Sequence, residues 1–204
     1  FASQRAYLDS AYYFLQQAQS EPLLSRLSAE VQYYYLTENF HAIRQLGQQV
    51  EPAQVNDGFT SYRIGDAMLS LGDQERAGPF LERAVALQPL NLEFLNKLGS
   101  WHIYQGQFAK AQNRFEKILA EQPKYVPALS NLGTLYLNLG NADEGLTLLQ
   151  QAIALDPDYA LAYLNLAEYH AKRFNTAEAK QILEQLLRHQ PDNQQAKQAL
   201  RAMR

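Results

Sequence analysis

The residues able to bind metal or move protons are few: His41, His102, His170 and His189, and the carboxylates of Asp156-Pro157-Asp158. A metal centre needs three or four such donors converging on one point. His41 and His189 have no carboxylate at ligand spacing, and His102 and His170 stand two 34-residue periods apart. Asp156 and Asp158 flank a proline in a turn, where Asp158 is placed to cap the helix that follows. Neither a Ser–His–Asp set nor a glycine-rich phosphate loop occurs. With no cysteine, disulfides and thiolate metal sites are excluded. The expectation is a chain that is not an enzyme, with no catalytic residues, metal or cofactor. A second group, Tyr7, Tyr12, Tyr13, Tyr33, Tyr34 and Tyr35, has the apolar ring and polar tip favoured at interfaces. Three consecutive tyrosines on a helix point three ways, so the alternative is that they fill irregular gaps near the N-terminus.

The elements that must carry these residues repeat. At a spacing of 34 residues, Gly65, Gly99, Gly133 and Ala167 form one column, each preceded by Ile64, Leu98, Leu132 or Leu166. Ala77, Ala111, Gly145 and Ala179 form a small-residue column, followed four residues later by Leu81, Phe115, Leu149 and Leu183. Pro89, Pro123, Pro157 and Pro191 close each copy. Columns held at a constant period mark a stacked helical repeat, in which each unit buries its apolar face only against its neighbours. Four copies follow: 58–91, 92–125, 126–159 and 160–193. Each has a first helix of about 14 residues, a turn at Gly72, Gly106, Gly140 or Phe174, and a second helix stopped by the proline. Glycine suits a left-handed helix end; at the fourth turn Asn175 is expected to take the positive φ in place of Phe174. Pro79, after Gly78, predicts a second helix that starts late or kinks.

Residues 1–57 read as a degenerate repeat region. Helical spacing covers Ser3 to Gln19, Leu23 to Thr37 and Phe40 to Val50, the last capped by Asn39, with Glu30 falling in an apolar column. Residues 194–204 read as a capping helix with Ala196, Leu200 and Met203 on one side. About twelve helices and no sheet are expected.

Composition limits the partners. Hydrophobic residues make up 47% of the 204, enough for a core, and the net charge is −3. With a pI near 5.8, no basic stripe for nucleic acid is expected. No apolar run reaches the roughly 18 residues of a membrane span. Residues 1–20 carry Arg5 and Asp9 without the basic-then-apolar layout of a signal, and the chain starts at Phe1, which reads as a fragment or a processed form. Cytoplasm and periplasm both suit a cysteine-free chain.

The columns resemble the tetratricopeptide repeat, a 34-residue helix–turn–helix unit with the pattern Trp-x₂-Leu-Gly-x₂-Tyr, Ala-x₃-Phe and Pro. Leu98-Gly99 with Ala111, Phe115 and Pro123 carries the resemblance, as does Leu132-Gly133-x₂-Tyr136 with Pro157. The family's Trp column here holds Ser61, Leu95, Leu129 and Tyr163; its Tyr column holds Met68, His102, Tyr136 and His170; Trp101 lies outside the motif. The resemblance implies an all-α solenoid, a right-handed superhelix of antiparallel helix pairs, whose first helices line a concave groove for an extended peptide or a partner helix. Carried over column by column, that groove takes Arg63, Lys97, Asn131 and Asn165; Tyr62, Asn96, Ser130 and Leu164; Asp66, Ser100, Thr134 and Glu168; and Ser70, Tyr104, Asn138 and Lys172. Asn131 and Asn165 could pair with a partner's backbone amides, and Arg63 and Lys97 could hold a carboxylate; otherwise these side chains serve only local backbone and water. The carboxylate clamp of some family members needs two Lys, two Asn and an Arg over three repeats. Leu161 and Glu168 work against that set, so that ligand is not expected.

Three functions are weighed. The first is a scaffold holding a protein or peptide partner in the groove. The second is an accessory or regulatory domain of a larger enzyme or secretion-assembly protein. The third is self-association through terminal repeats. RNA-reading helical repeats use a 35-residue period and a basic groove, which this chain lacks.

Overall fold

A computed structural model describes residues 2–203, with the backbone alone at 2–7, 14 and 19. The side chains of Arg5 and Tyr7 thus lie outside the described residues. Among the described residues the chain forms twelve α-helices and no strand: α1 (Ala2–Gln17), α2 (Leu23–Leu36), α3 (Phe40–Gly47), α4 (Gly58–Ser70), α5 (Gln74–Leu87), α6 (Leu92–Tyr104), α7 (Phe108–Glu121), α8 (Val126–Leu139), α9 (Ala142–Leu155), α10 (Ala160–Lys172), α11 (Thr176–His189) and α12 (Gln194–Ala202). Short 3-10 turns follow α1 at Ala18–Ser20 and precede α4 at Pro52–Gln54.

Four helix starts are set by side chains that accept the orphan N–H groups of the first turn. Asn39 accepts from Ala42 N at 3.1 Å, Asp57 from Thr60 N at 2.7 Å, and Asn193 from Ala196 N at 3.0 Å. Asn91 takes two, from Glu93 N and Phe94 N. Asp158 does not play this part. The residue before α10 is Tyr159, without a side-chain cap, and the Asp158 N–H donates to Asp156 Oδ1 at 3.0 Å. Asp156 closes its own turn ahead of the helix, and Asp158 is built into it.

Helix ends follow from proline sterics. Gln88, Gln122, Asp156 and Gln190 each precede a column proline, and each leaves the helix at φ between −126° and −139°. The proline ring forbids a helical residue in front of it, so the second helix stops at the same place in every copy. The turns inside the copies need positive φ. Gly72, Gly106 and Gly140 supply it at 79°, 68° and 91°. In the fourth copy the expectation is corrected: Phe174 itself takes φ 63°, while Asn175 stays at −84° and precedes α11. The three-residue turn fixes which position must be left-handed, and its geometry prevails over side-chain preference. Phe174 is 93% exposed, so its ring meets no packing penalty.

The helices fall into two compact units, 1–105 and 106–204. In the first, Leu27, Val31, Ile43, Ile64, Met68 and Phe80 form one buried cluster, and Tyr62, Leu81, Phe94 and Leu98 a second. Glu30 is buried there and pairs with Arg26 one turn earlier, which is how a carboxylate occupies an apolar column. Pro79 lies inside α5, which starts at Gln74 and not late. Trp101 packs over that stretch: its indole N–H donates to the Gln74 carbonyl at 2.8 Å, and a Cβ on Gly78 would run into its ring. In the second unit, Leu129, Leu149, Ala152, Ala162 and Leu166 form one cluster, and Tyr163, Ala167, Ala179, Leu183, Leu186 and Ala196 another. Phe115 is fully buried. α8 and α9 approach until a Cβ on Gly145 would stand 2.8 Å from the Gly133 carbonyl oxygen. α12 covers the last cluster with Ala196 and Leu200, and Met203 just after it adds to the cover.

Candidate functional site

In the first unit, Tyr62, Arg63, Asp66, Lys97 and Ser100 of the expected groove are tied to the chain itself. Tyr62 is 5% exposed and stacks on Phe94, with centroids 4.8 Å apart. It is therefore a core residue and not a groove residue. Adjacent first helices α4 and α6 pack side by side, and this column faces the neighbour. Burial pushes the Tyr62 hydroxyl far above its ordinary range, and Asp66 and Glu93 add to the shift. Asp66 is 8% exposed, and its Oδ1 lies 2.7 Å from Lys97 Nζ. The carboxylate that Lys97 holds is the chain's own. Tyr35 borders the same group: burial raises its hydroxyl first, and the Asp66 carboxylate next. Arg63 lies 5.1 Å from the Tyr35 ring centre and 5.7 Å from that of Phe59, a cation over aromatic faces. Ser100 Oγ donates to the Asn96 carbonyl at 3.2 Å, the usual local bond of a serine within a helix. Tyr104, at the end of α6, is 61% exposed.

In the second unit the register assembles a surface. Thr134 and Asn138 of α8 and Asn165, Glu168 and Lys172 of α10 line one cleft of about 290 Å³, together with Leu137, Tyr169 and Arg173. Asn165 Nδ2 donates to Thr134 Oγ1 at 2.8 Å, and that hydroxyl donates to the Ser130 carbonyl at 2.9 Å. This ties α10 to α8 and leaves the Asn165 carbonyl oxygen as an acceptor. Lys172 Nζ pairs with Glu168 Oε1 at 2.6 Å on the exposed rim. Asn138 is exposed, Asn131 half-buried, and Ser130 fully buried on the core side. Arg173 sits 4.5 Å from the centre of the Tyr169 ring. Sequence columns did not single out Tyr169 and Arg173, because both stand one residue beyond a groove column.

The alternative tyrosine group is mostly packing. Tyr33 meets Tyr12 at 5.8 Å and Tyr34 at 5.5 Å, while Tyr35 meets Phe40 at 6.0 Å. Tyr34 and Tyr35 lie against the first core cluster, while Tyr12 and Tyr13 are exposed. No described helix is long and apolar enough to cross a membrane.

Two family models described as tetratricopeptide repeat match the chain, one over residues 102–152 and 140–203, the other over 60–89. The chain belongs to the tetratricopeptide repeat family. Among solved structures, it is similar to the thermophilic TPR protein TTC0263 of Thermus thermophilus, with 23% identity over 64% of this chain and 73% of that one, at a TM-score of 0.60. MamA from Desulfovibrio magneticus RS-1 is 17% identical over 92% of this chain and 97% of its own, at 0.55. YrrB, described as a TPR protein with an unusual peptide-binding site, is 17% identical over 94% and 99%, at 0.57. At these identities the likeness shows the fold. No curated protein matches the chain. A TPR fold of this kind displays side chains in rows along stacked helices, as protein-interaction scaffolds do.

Proposed function

We propose that this TPR chain holds an extended segment or a helix of a partner protein along its first helices, and that residues 58–91, 92–125, 126–159 and 160–193 are its repeats, flanked by a degenerate region at 1–57 and a cap at 194–204. One observation carries this reading. Five residues chosen by register alone, Thr134, Asn138, Asn165, Glu168 and Lys172, line a single cleft between α8 and α10. The Asn138 amide and the Asn165 carbonyl offer donor and acceptor to a main-chain amide, and the Lys172–Glu168 pair frames them. Packed helices such as α8 and α10 stand about 8–10 Å apart, so an extended segment advancing about 3.3 Å per residue meets one such group about every third residue there.

The test is to recover a partner with the intact chain and titrate that purified partner against the parent and the Asn138→Ala, Asn165→Ala double variant. About fivefold to tenfold weaker binding with unchanged helix content is expected, the loss of one or two hydrogen bonds. Equal affinity would sink the assignment. Self-association is a second reading, favoured by an apolar cleft of about 390 Å³ between α1 and α2 with Tyr12, Tyr13 and Leu24 exposed on the same two helices. A light-scattering mass that stays that of one chain as concentration rises would dispose of it.

A further inference from the structure

The turn between α10 and α11 carries a residue that its own fold does not use. Phe174 holds φ 63° at the place where the other three copies have Gly72, Gly106 and Gly140. A side chain in the left-handed region costs energy that glycine is spared. A Cβ at any of those three glycines would meet nothing within 4 Å, so this turn offers no packing in return. Phe174 is 93% exposed, more than any other described large apolar residue. An aromatic ring that strains its backbone and packs on nothing in its own chain is placed to pack on another.

The neighbours of the ring are basic. Lys172 and Arg173 precede it, and both are exposed. Lys172 is held by Glu168, while Arg173 makes no ion pair among the described residues. A surface of opposite sign lies in the same unit, a cleft of about 560 Å³ between α8 and α9. Leu132, Leu148 and the Tyr136 ring line it, and Asp143, Glu144 and Thr147 stand on its α9 side. None of these lining residues is lysine or arginine. Asp143 and Glu144 are exposed and make no ion pair among the described residues. The Tyr136 hydroxyl donates to Glu116 Oε1 at 3.3 Å. Burial raises that hydroxyl first and Glu116 next, and Glu144 is close enough to add to the shift. An apolar cavity of about 150 Å³ takes a benzene ring, so this cleft has room for a phenyl group.

We propose that Phe174 of one copy seats in the cleft between α8 and α9 of a second copy, with its ring on Leu132, Leu148 and Tyr136 and with Lys172 and Arg173 over Asp143 and Glu144. This rests on the self-association reading, but it puts the contact within residues 106–204 and not on α1 and α2. Charge selects the occupant: the ring is flanked by cations, the cleft is rimmed by carboxylates, and one chain carries both. Ring and cleft are different surfaces, so each copy offers one of each. One buried ring with ion pairs at the rim makes a weak contact, so association belongs to high protein concentration.

Sedimentation equilibrium of the intact chain tests this. The mass should climb above that of one chain as concentration rises and fall back as salt screens the rim charges. Phe174→Gly should weaken association about tenfold while the thermal midpoint stays level or rises, because glycine relieves the turn. Thr147→Lys sets an ammonium one turn after Asp143, which neutralises the rim and suits the helix. It should weaken association to a similar extent at unchanged helix content. An equimolar mixture of the two variants should form a two-chain species with about the parent's affinity, since one keeps the cleft and the other keeps the ring. A parent that holds the mass of one chain at every concentration would sink this contact and the self-association reading together. If the parent associates and either variant associates equally well, this contact falls, and the cleft between α1 and α2 is left as the self-association surface. A mixture that stays monomeric, or parent association that tightens with salt, would overturn it as well.

Discussion

Lys97 and Phe115 show how little a residue's type says before its neighbours are known. Lys97 belongs by register to a groove column, yet its ammonium is 2.7 Å from a carboxylate that is 8% exposed. Lys97→Ala would leave Asp66 without its counter-charge and should destabilise the chain by about 1–3 kcal/mol. The double change Lys97→Met with Asp66→Asn should cost less than the single, because no buried charge is then stranded. Denaturant midpoints decide it: a loss from Lys97→Ala under about 0.5 kcal/mol would mean that the pair behaves as a surface ion pair. Phe115 was legible from its column, and it is fully buried. Phe115→Ala should cost about 3–5 kcal/mol, read from the same midpoints, and a loss under about 1 kcal/mol would contradict that burial.

At the scale of the element, small residues decide how closely the helices approach. A Cβ on Gly145 would stand 2.8 Å from the Gly133 carbonyl oxygen and 2.7 Å from Leu137. A carbonyl oxygen held in a helix cannot swing aside as a side chain can. Gly145→Ala should therefore force α8 and α9 apart and cost about 1–3 kcal/mol. Thermal unfolding followed by far-UV circular dichroism checks this; an unchanged midpoint would mean that the two helices are not held at that distance. The helices themselves were largely legible, because proline before a turn and Asn or Asp before a helix act through local sterics and hydrogen bonds that sequence carries directly. Phe174 was not, since the turn length and not the side chain sets its φ of 63°. Nor was the inward turn of Tyr62, a residue whose type fits a groove as well as a core. The column frame places a residue to within about 100° around its helix, the step from one position to the next, and adjacent first helices then select which column is covered. The cleft between α8 and α10 was legible because its five residues sit on columns, whereas Tyr169 and Arg173 beside it do not.

For the whole molecule, stability in a repeat array is a sum of local terms and nearest-neighbour contacts, so it should fall toward elements with one neighbour. In the unit 1–105, α4 buries Ile64, Gly65, Ala67 and Met68 and packs against α2, α3 and α5. Among the described residues, α1 packs chiefly on α2 and the turn that follows it. In the unit 106–204, α8 and α10 bury the central residues of both clusters, while α12 buries Ala196 alone and packs on α11. Native-state hydrogen exchange of backbone amides reads this ordering, because opening free energies run from near zero at frayed ends up to the global value in the best-buried helices. Amides of Ile64 to Met68 should exchange slowest in the first unit, and those of α1 fastest. In the second, Leu132 to Leu135 and Ala162 to Ala167 should be slowest and Ala199 to Ala202 fastest. The contrast within each unit should exceed tenfold, since about 1.4 kcal/mol of local stability already gives that factor. Exchange that is uniform from α1 through α6, or from α7 through α12, would mean that each unit opens as one cooperative body, and that nearest-neighbour packing does not set where this chain yields first.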